Sequence, residues 1–125
     1  MDTDGVPTGV WSVIFGTANG DTATGVMVFD DHRIAGGDSN FYYTGNYRCD
    51  GDEISAQIKV AHYGFSTGTI AGPILRGGTL HLNFRGRWNA DTITADGRLE
   101  GAQNASVRCK LTKLEDLPPA APAPG

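Results

Sequence analysis

Apolar and polar residues alternate along this chain with a period of two, and each stretch stops at a short run of Gly, Asn or Asp. That pattern constrains the fold most, because only a β-strand, with side chains on alternate faces, turns a period of two into one buried face. The spacing predicts eight strands. Gly9 to Gly16 puts Trp11, Val13 and Phe15 on one side, and Thr22 to Phe29 does the same with Met27 and Phe29. A short segment follows over His32 to Ala35, then an aromatic strand over Asn40 to Arg48 with Phe41, Tyr43 and Tyr47 opposite Tyr42. Glu53 to His62 turns Ile54, Ala56, Ile58 and Val60 inward, and Thr79 to Trp88 turns Leu80, Leu82, Phe84 and Trp88 inward. The last two strands, Thr92 to Glu100 and Ala105 to Leu114, offer Ile93, Ala95, Gly97, Leu99, Val107, Cys109 and Leu111.

The connections carry their own chemistry. Asn19-Gly20-Asp21 and Asp50-Gly51-Asp52 have the Asn-Gly and Asp-Gly pairs that accept the positive φ of tight hairpin turns, and the second is expected to be of type I′. Asp30-Asp31, Gly36-Gly37, Asn89-Ala90-Asp91 and Gly101 to Asn104 supply further turns. Residues 64–78 form the one long connection, with five Gly and one Pro, and a segment of that length is expected to be a functional loop or lid. An even number of sequential antiparallel strands lets the first pair with the last and abolishes the sheet edges. The expected fold is therefore all-β: an eight-stranded antiparallel up-and-down β-barrel over residues 1–116, with a disordered Pro/Ala-rich tail over 117–125.

Composition supports this. Eighteen of 125 residues are Gly, and those inside strands (Gly25, Gly45, Gly86, Gly97) suit the sharp bends of barrel corners. Hydrophobic residues at 39% exclude wholesale disorder. The formal net charge of −4 argues against direct nucleic-acid binding, which needs a basic surface. The acids are concentrated early, nine against three bases in residues 1–62, which suggests an acidic face able to meet a basic protein partner. No apolar run approaches the ~18 residues of a membrane-spanning helix, and MDTDGVP lacks the features of a signal peptide, so a cytoplasmic location without membrane contact is expected.

No catalytic residue can be assigned. The chain has no G-x-S-x-G, H-E-x-x-H, P-loop or G-x-G-x-x-G signature, and its carboxylates fall mainly in turns. His32, His62 and His81 have no ligand spacing, so neither a metal nor another cofactor is expected. Cys49 and Cys109 sit on strands that a barrel places on opposite walls, which predicts two free thiols. Three features remain as candidate binding surfaces. The interior lined by Trp11, Val13, Phe15, Met27, Phe29, Ile58, Leu82, Phe84, Trp88, Val107 and Cys109 is either packed or a cavity for a small apolar ligand. The turn with Asp50, Asp52 and Glu53 is a solvated hairpin tip or a partner-docking site, and the outward stripe His81, Asn83, Arg85, Arg87 is a solvent face or a weak phosphate contact.

Gly9-Val10-Trp11-Ser12-Val13-Ile14-Phe15 resembles the G-x-[WY]-S-[VI]-I-F start of GrlR-like proteins, negative regulators of type III secretion. Ile34-Ala35-Gly36-Gly37-Asp38, Tyr43-Thr44-Gly45 and His62-Tyr63 follow in the matching order over roughly residues 9–65. The resemblance implies a lipocalin-like barrel with an apolar interior, paired as a homodimer. It also implies a docking turn that restrains a transcriptional activator through four consecutive acids. The matching positions are Asp50, Asp52 and Glu53, with Gly51 interrupting the run. Gly9-Val10-Trp11 is similar as well to the G-x-W of lipocalins, where an Arg on the last strand covers the Trp. Arg108 lies on that strand, but alternation points it outward.

Overall fold

A computed structural model of the protein describes residues 7–17, 20, 22–63, 79–101 and 106–122. It contains eight strands: β1 (Gly9–Thr17), β2 (Thr22–Asp30), β3 (Arg33–Gly37), β4 (Phe41–Asp50), β5 (Glu53–His62), β6 (Thr79–Trp88), β7 (Thr92–Leu99) and β8 (Ser106–Glu115). Each pairs antiparallel with its sequence neighbour, and β1 pairs with β8, from Val10 opposite Glu115 to Thr17 opposite Val107. The sheet closes into an up-and-down barrel without a free edge. A bulge at Val10/Trp11 interrupts the closing seam.

The interior is the inward half of the alternation. Trp11 and Val13 are wholly inaccessible, and Met27, Phe29, Tyr43, Tyr47, Phe84 and Leu111 are buried around them. Phe29 bridges Trp11 and Tyr47, with ring centroids 5.9 Å and 5.1 Å away, and Phe15 meets Tyr43 edge-on at 5.5 Å. No polar or charged residue is buried among the described residues.

Closure needs strong local curvature, and inward glycines provide it. A Cβ at Gly45 would collide with the Gln57 carbonyl on β5, and one at Gly86 with the Thr94 carbonyl on β7. The neighbouring backbones approach there because no side chain stands between them.

The turns depart from expectation in two places. In the 50–53 turn only Gly51 has positive φ (63°), which is the type II′ pattern rather than type I′. The two-residue pattern of positive φ occurs instead at Asp31 (52°) and His32 (66°), so His32 belongs to the turn and β3 begins at Arg33. Asp and His tolerate this region better than other non-glycine residues, and the His32 ring stacks on Tyr47 at 5.6 Å. Gly36 and Gly37 lie within β3 rather than in a turn. Residues 64–78 lie outside the described residues, as do Asn19 and Asp21; residues 116–122 carry no regular element.

Candidate functional site

Alternate turns of an up-and-down barrel share one end, so the β2–β3, β4–β5 and β6–β7 turns lie together with the start of β1 and the finish of β8. Backbone hydrogen bonds stitch this end. Trp88 N–H donates to the Asp52 carbonyl at 3.0 Å, Lys113 N–H to the Asp91 carbonyl at 2.9 Å, and Tyr47 N–H to the His32 carbonyl at 3.0 Å. The Trp88 indole N–H adds a bond to the Gly51 carbonyl at 3.0 Å, which anchors the 50–53 turn to β6.

The expected docking residues Asp50, Asp52 and Glu53 stand exposed at this end. Arg87 partly neutralises them, its guanidinium lying 2.8 Å from the Asp52 carboxylate and 3.7 Å from that of Glu53. The topology adds acids absent from the sequence-based set: Asp30 and Asp31 from the β2–β3 turn, Asp91 from the β6–β7 turn, and Glu115 and Asp116 at the finish of β8. Eight of the chain's fourteen carboxylate side chains thus gather at one end. Among the described residues the full cations there include Arg33, Arg87 and Lys113, the last 2.6 Å from Asp116, and Arg48 and Arg85 line a hollow with Asp50 and Glu53. Five of the eight come from the acidic first half of the chain, and the topology brings Asp91, Glu115 and Asp116 to the same end from the second half. The signal was available in the strand count, since every second turn of a meander falls on the same side.

The interior set divides by depth. Trp11, Val13, Phe15, Met27, Phe29, Ile58, Leu82, Phe84 and Cys109 are buried, while Trp88 and Val107 are half-buried. Met27, Phe29, Ile58, Phe84 and Cys109 border one void of about 30 Å³, together with Ile34, Ile54, Ala56, Ile93, Ala95 and Leu111. Its lining is wholly apolar, and its size is that of one or two water-sized spheres. Trp11, Val13, Phe15, Leu82, Trp88 and Val107 pack elsewhere.

Cys49 and Cys109 are both free thiols. Burial pushes the Cys109 thiol up to about 12, with the Asp96 carboxylate adding to the effect, and burial raises Cys49 as well. Neither environment favours the thiolate that nucleophilic chemistry requires. The Tyr43 hydroxyl donates to Asp38 Oδ2 at 2.5 Å, while Asp38 Oδ1 accepts from the Asn40 and Phe41 amides, which ties the β3–β4 turn to the core. Burial, and then that carboxylate, raise the Tyr43 phenol far above its ordinary range. Among the described residues no group of three His, Cys, Asp or Glu side chains has an arrangement that would hold a metal ion.

On the outer wall His81, Asn83, Arg85 and Arg87 all face solvent. Arg108 points outward and pairs with Asp96 at 2.9 Å, away from Trp11. Lys113 stands opposite Trp11 in register, and its side chain lies beside Gly9, where an added Cβ would come within 2.7 Å of its Cε.

The chain matches no protein-family model and no curated protein. Its fold is that of solved barrels. A redesigned β-barrel is 17% identical over 86% of this chain and 91% of its own, with a TM-score of 0.58. The structure of EF1p2_mFAP2b bound to DFHBI is 12% identical over 86% of this chain and 93% of that one, with a TM-score of 0.54. At such identities the likeness establishes the fold, an eight-stranded closed antiparallel barrel, and nothing of its use.

Proposed function

We propose that this protein is a non-enzymatic binding protein of the GrlR-like kind, which captures a basic protein partner, such as a transcriptional regulator, on its acidic end. The observation that carries the reading is the gathering of eight carboxylates from three turns and the C-terminal strand on one face of the barrel. An excess of one charge sign over such a face accelerates encounter with an oppositely charged surface and suppresses wrong partners. Asp31, with its side chain 81% exposed, Asp50 and Asp91 project from three different turns, so the surface is broader than the single hairpin tip.

The test is pull-down from the native host, with the wild-type chain and with Asp31, Asp50 and Asp91 each reversed to Lys. The expected result is a basic protein retained by the wild type, lost with the triple variant, and released by salt in the range where exposed charges are screened. Equal recovery with both chains refutes the assignment.

The alternative of a carrier for a small apolar ligand draws support from a barrel of the same fold that holds DFHBI. The void of about 30 Å³ speaks against it in the part of the interior it occupies. A fluorescent fatty acid bound saturably at one site, and competed by unlabelled fatty acid, would restore that alternative.

A further inference from the structure

The outer wall over β4, β5 and β6 carries a groove that starts at the acidic end, where Asp50 and Glu53 line it, and runs away from that end along β5. Its floor is β5, where the short Ser55 side chain and Gln57 face outward; its walls are Asn46 and Arg48 on β4 and Asn83 and Arg85 on β6. Register places these six side chains in two rows. Arg48, Ser55 and Arg85 form one, and Asn46, Gln57 and Asn83 the other. The hollow near the 50–53 turn measures about 430 Å³, and the next about 400 Å³; Arg48, Ser55 and Arg85 line both, so the two are continuous.

The chemistry of the rows differs. Among the described residues Arg48 and Arg85 have no carboxylate within ion-pair distance, although Arg87 and Arg108 on the same barrel do, at 2.8 Å and 2.9 Å. Arg85 lies opposite Asp96 in register, but that carboxylate turns to Arg108. Two guanidinium forks that pair with no described carboxylate, although Asp50 and Glu53 line the same hollow, are suited to an oxyanion, which each can hold through two parallel N–H bonds. The other row presents three amides, each with donors and an acceptor, and none of the six side chains has a hydrogen-bond partner in the described chain. Rows two residues apart along a strand are separated by roughly 6.6–6.8 Å. The ligand class that satisfies both rows is a compact oxyanion joined to several hydroxyl groups.

Two observations narrow it further. Among the described residues no aromatic face opens into the groove, Phe84 beneath it being 4% exposed, so none of them stacks a nucleobase or grips an apolar ring. Asp50 and Glu53 border the groove near the turn and repel a second anionic group extending that way, which disfavours a polyanion. We infer that the groove over β4–β6 is a binding site for a singly phosphorylated or sulfated sugar, with Arg48 and Arg85 on the oxyanion and Asn46, Gln57 and Asn83 on the hydroxyls.

The test is titration of the isotope-labelled chain, followed by backbone amide shifts, with glucose 6-phosphate, glucose 6-sulfate, inorganic phosphate and glucose. Saturating shifts confined to residues 46–57 and 83–87 are expected with either ester within about 10 mM, weaker ones with phosphate, and none with glucose. Arg48→Gln and Arg85→Gln should each weaken ester binding about tenfold. Asn83→Ala should weaken the ester and not phosphate, and Lys110→Gln, on β8, should change neither. The inference is overturned if no shift saturates, if Lys110→Gln weakens binding as much as the arginine variants, or if phosphate alone binds as tightly as both esters. All these variants are at exposed positions and leave every carboxylate of the acidic end in place, and the amide shifts read ligand binding on the isolated chain without a protein partner.

Discussion

At the scale of single residues, the interior groups titrate in a way that solvent-facing ones do not. Cys109 is buried against Ala95 and Leu111, and its thiol is pushed up to about 12, while in an unfolded chain a thiol ionises near ~8.5. Above that lower value the unfolded chain releases a proton that the folded chain retains. The unfolded state then binds fewer protons, and stability falls as pH rises. Tyr43 acts in the same direction from its own unfolded value of ~10, held neutral by burial and by Asp38. Stability measured by urea denaturation should therefore be flat in these two contributions below about pH 8 and decline through pH 9 to 11. The decline should be shallower in Cys109→Val and shallower again in Cys109→Val with Tyr43→Phe. An unchanged alkaline slope in the double variant would show that these groups do not govern it.

At the scale of elements, the strands bend where they carry no inward side chain. Gly45 on β4 and Gly86 on β6 stand where the partner backbone comes too close for a Cβ. Gly86→Ala forces β6 and β7 apart and should cost about 1–3 kcal/mol, the usual range for overpacking a tight interior. Gly51→Ala in the exposed turn meets open space, and its cost of about 1 kcal/mol comes from φ alone. Chemical denaturation of the two variants checks the order, and a Gly86 variant as stable as wild type would mean that curvature does not depend on the missing side chain. Much of this scale was legible in the chain. Glu53–His62 and Thr79–Trp88 have the bounds that alternation indicates, because the period of two is a local property of each strand. The turn types were not: that Asp31-His32 holds two positive φ values and Asp50-Gly51-Asp52-Glu53 only one depends on how each hairpin fits the closing barrel.

At the scale of the whole molecule, the charges segregate. The acidic end is set against an outer face over β1, β2 and β3 whose central outward residues, Val10, Ser12, Ile14, Thr24, Val26, Val28 and Ala35, carry no charge. Ile14 and Val26 on that face are 51% and 42% exposed. A homodimer, as the GrlR-like reading proposes, would cover this face, since pairing an uncharged wall with its own copy removes apolar area from water and desolvates no ion. Sedimentation equilibrium should then show a dimer for the wild type and a monomer for Ile14→Lys with Val26→Lys. Monomers in both, or a dimer that survives both substitutions, would exclude that interface. Alternation and turn chemistry, read along the chain, were sufficient for the number of strands and the inward set from Trp11 to Leu111, because each depends on neighbours within a few residues; closure was expected from the even strand count, and the β1–β8 pairing that makes it joins residues about a hundred positions apart. Only the tertiary structure decided that acids from Asp30 to Asp116 share one end, and that Arg48, Ser55 and Arg85 form one row. Both follow from register, and register brings together side chains that lie tens of residues apart in the chain.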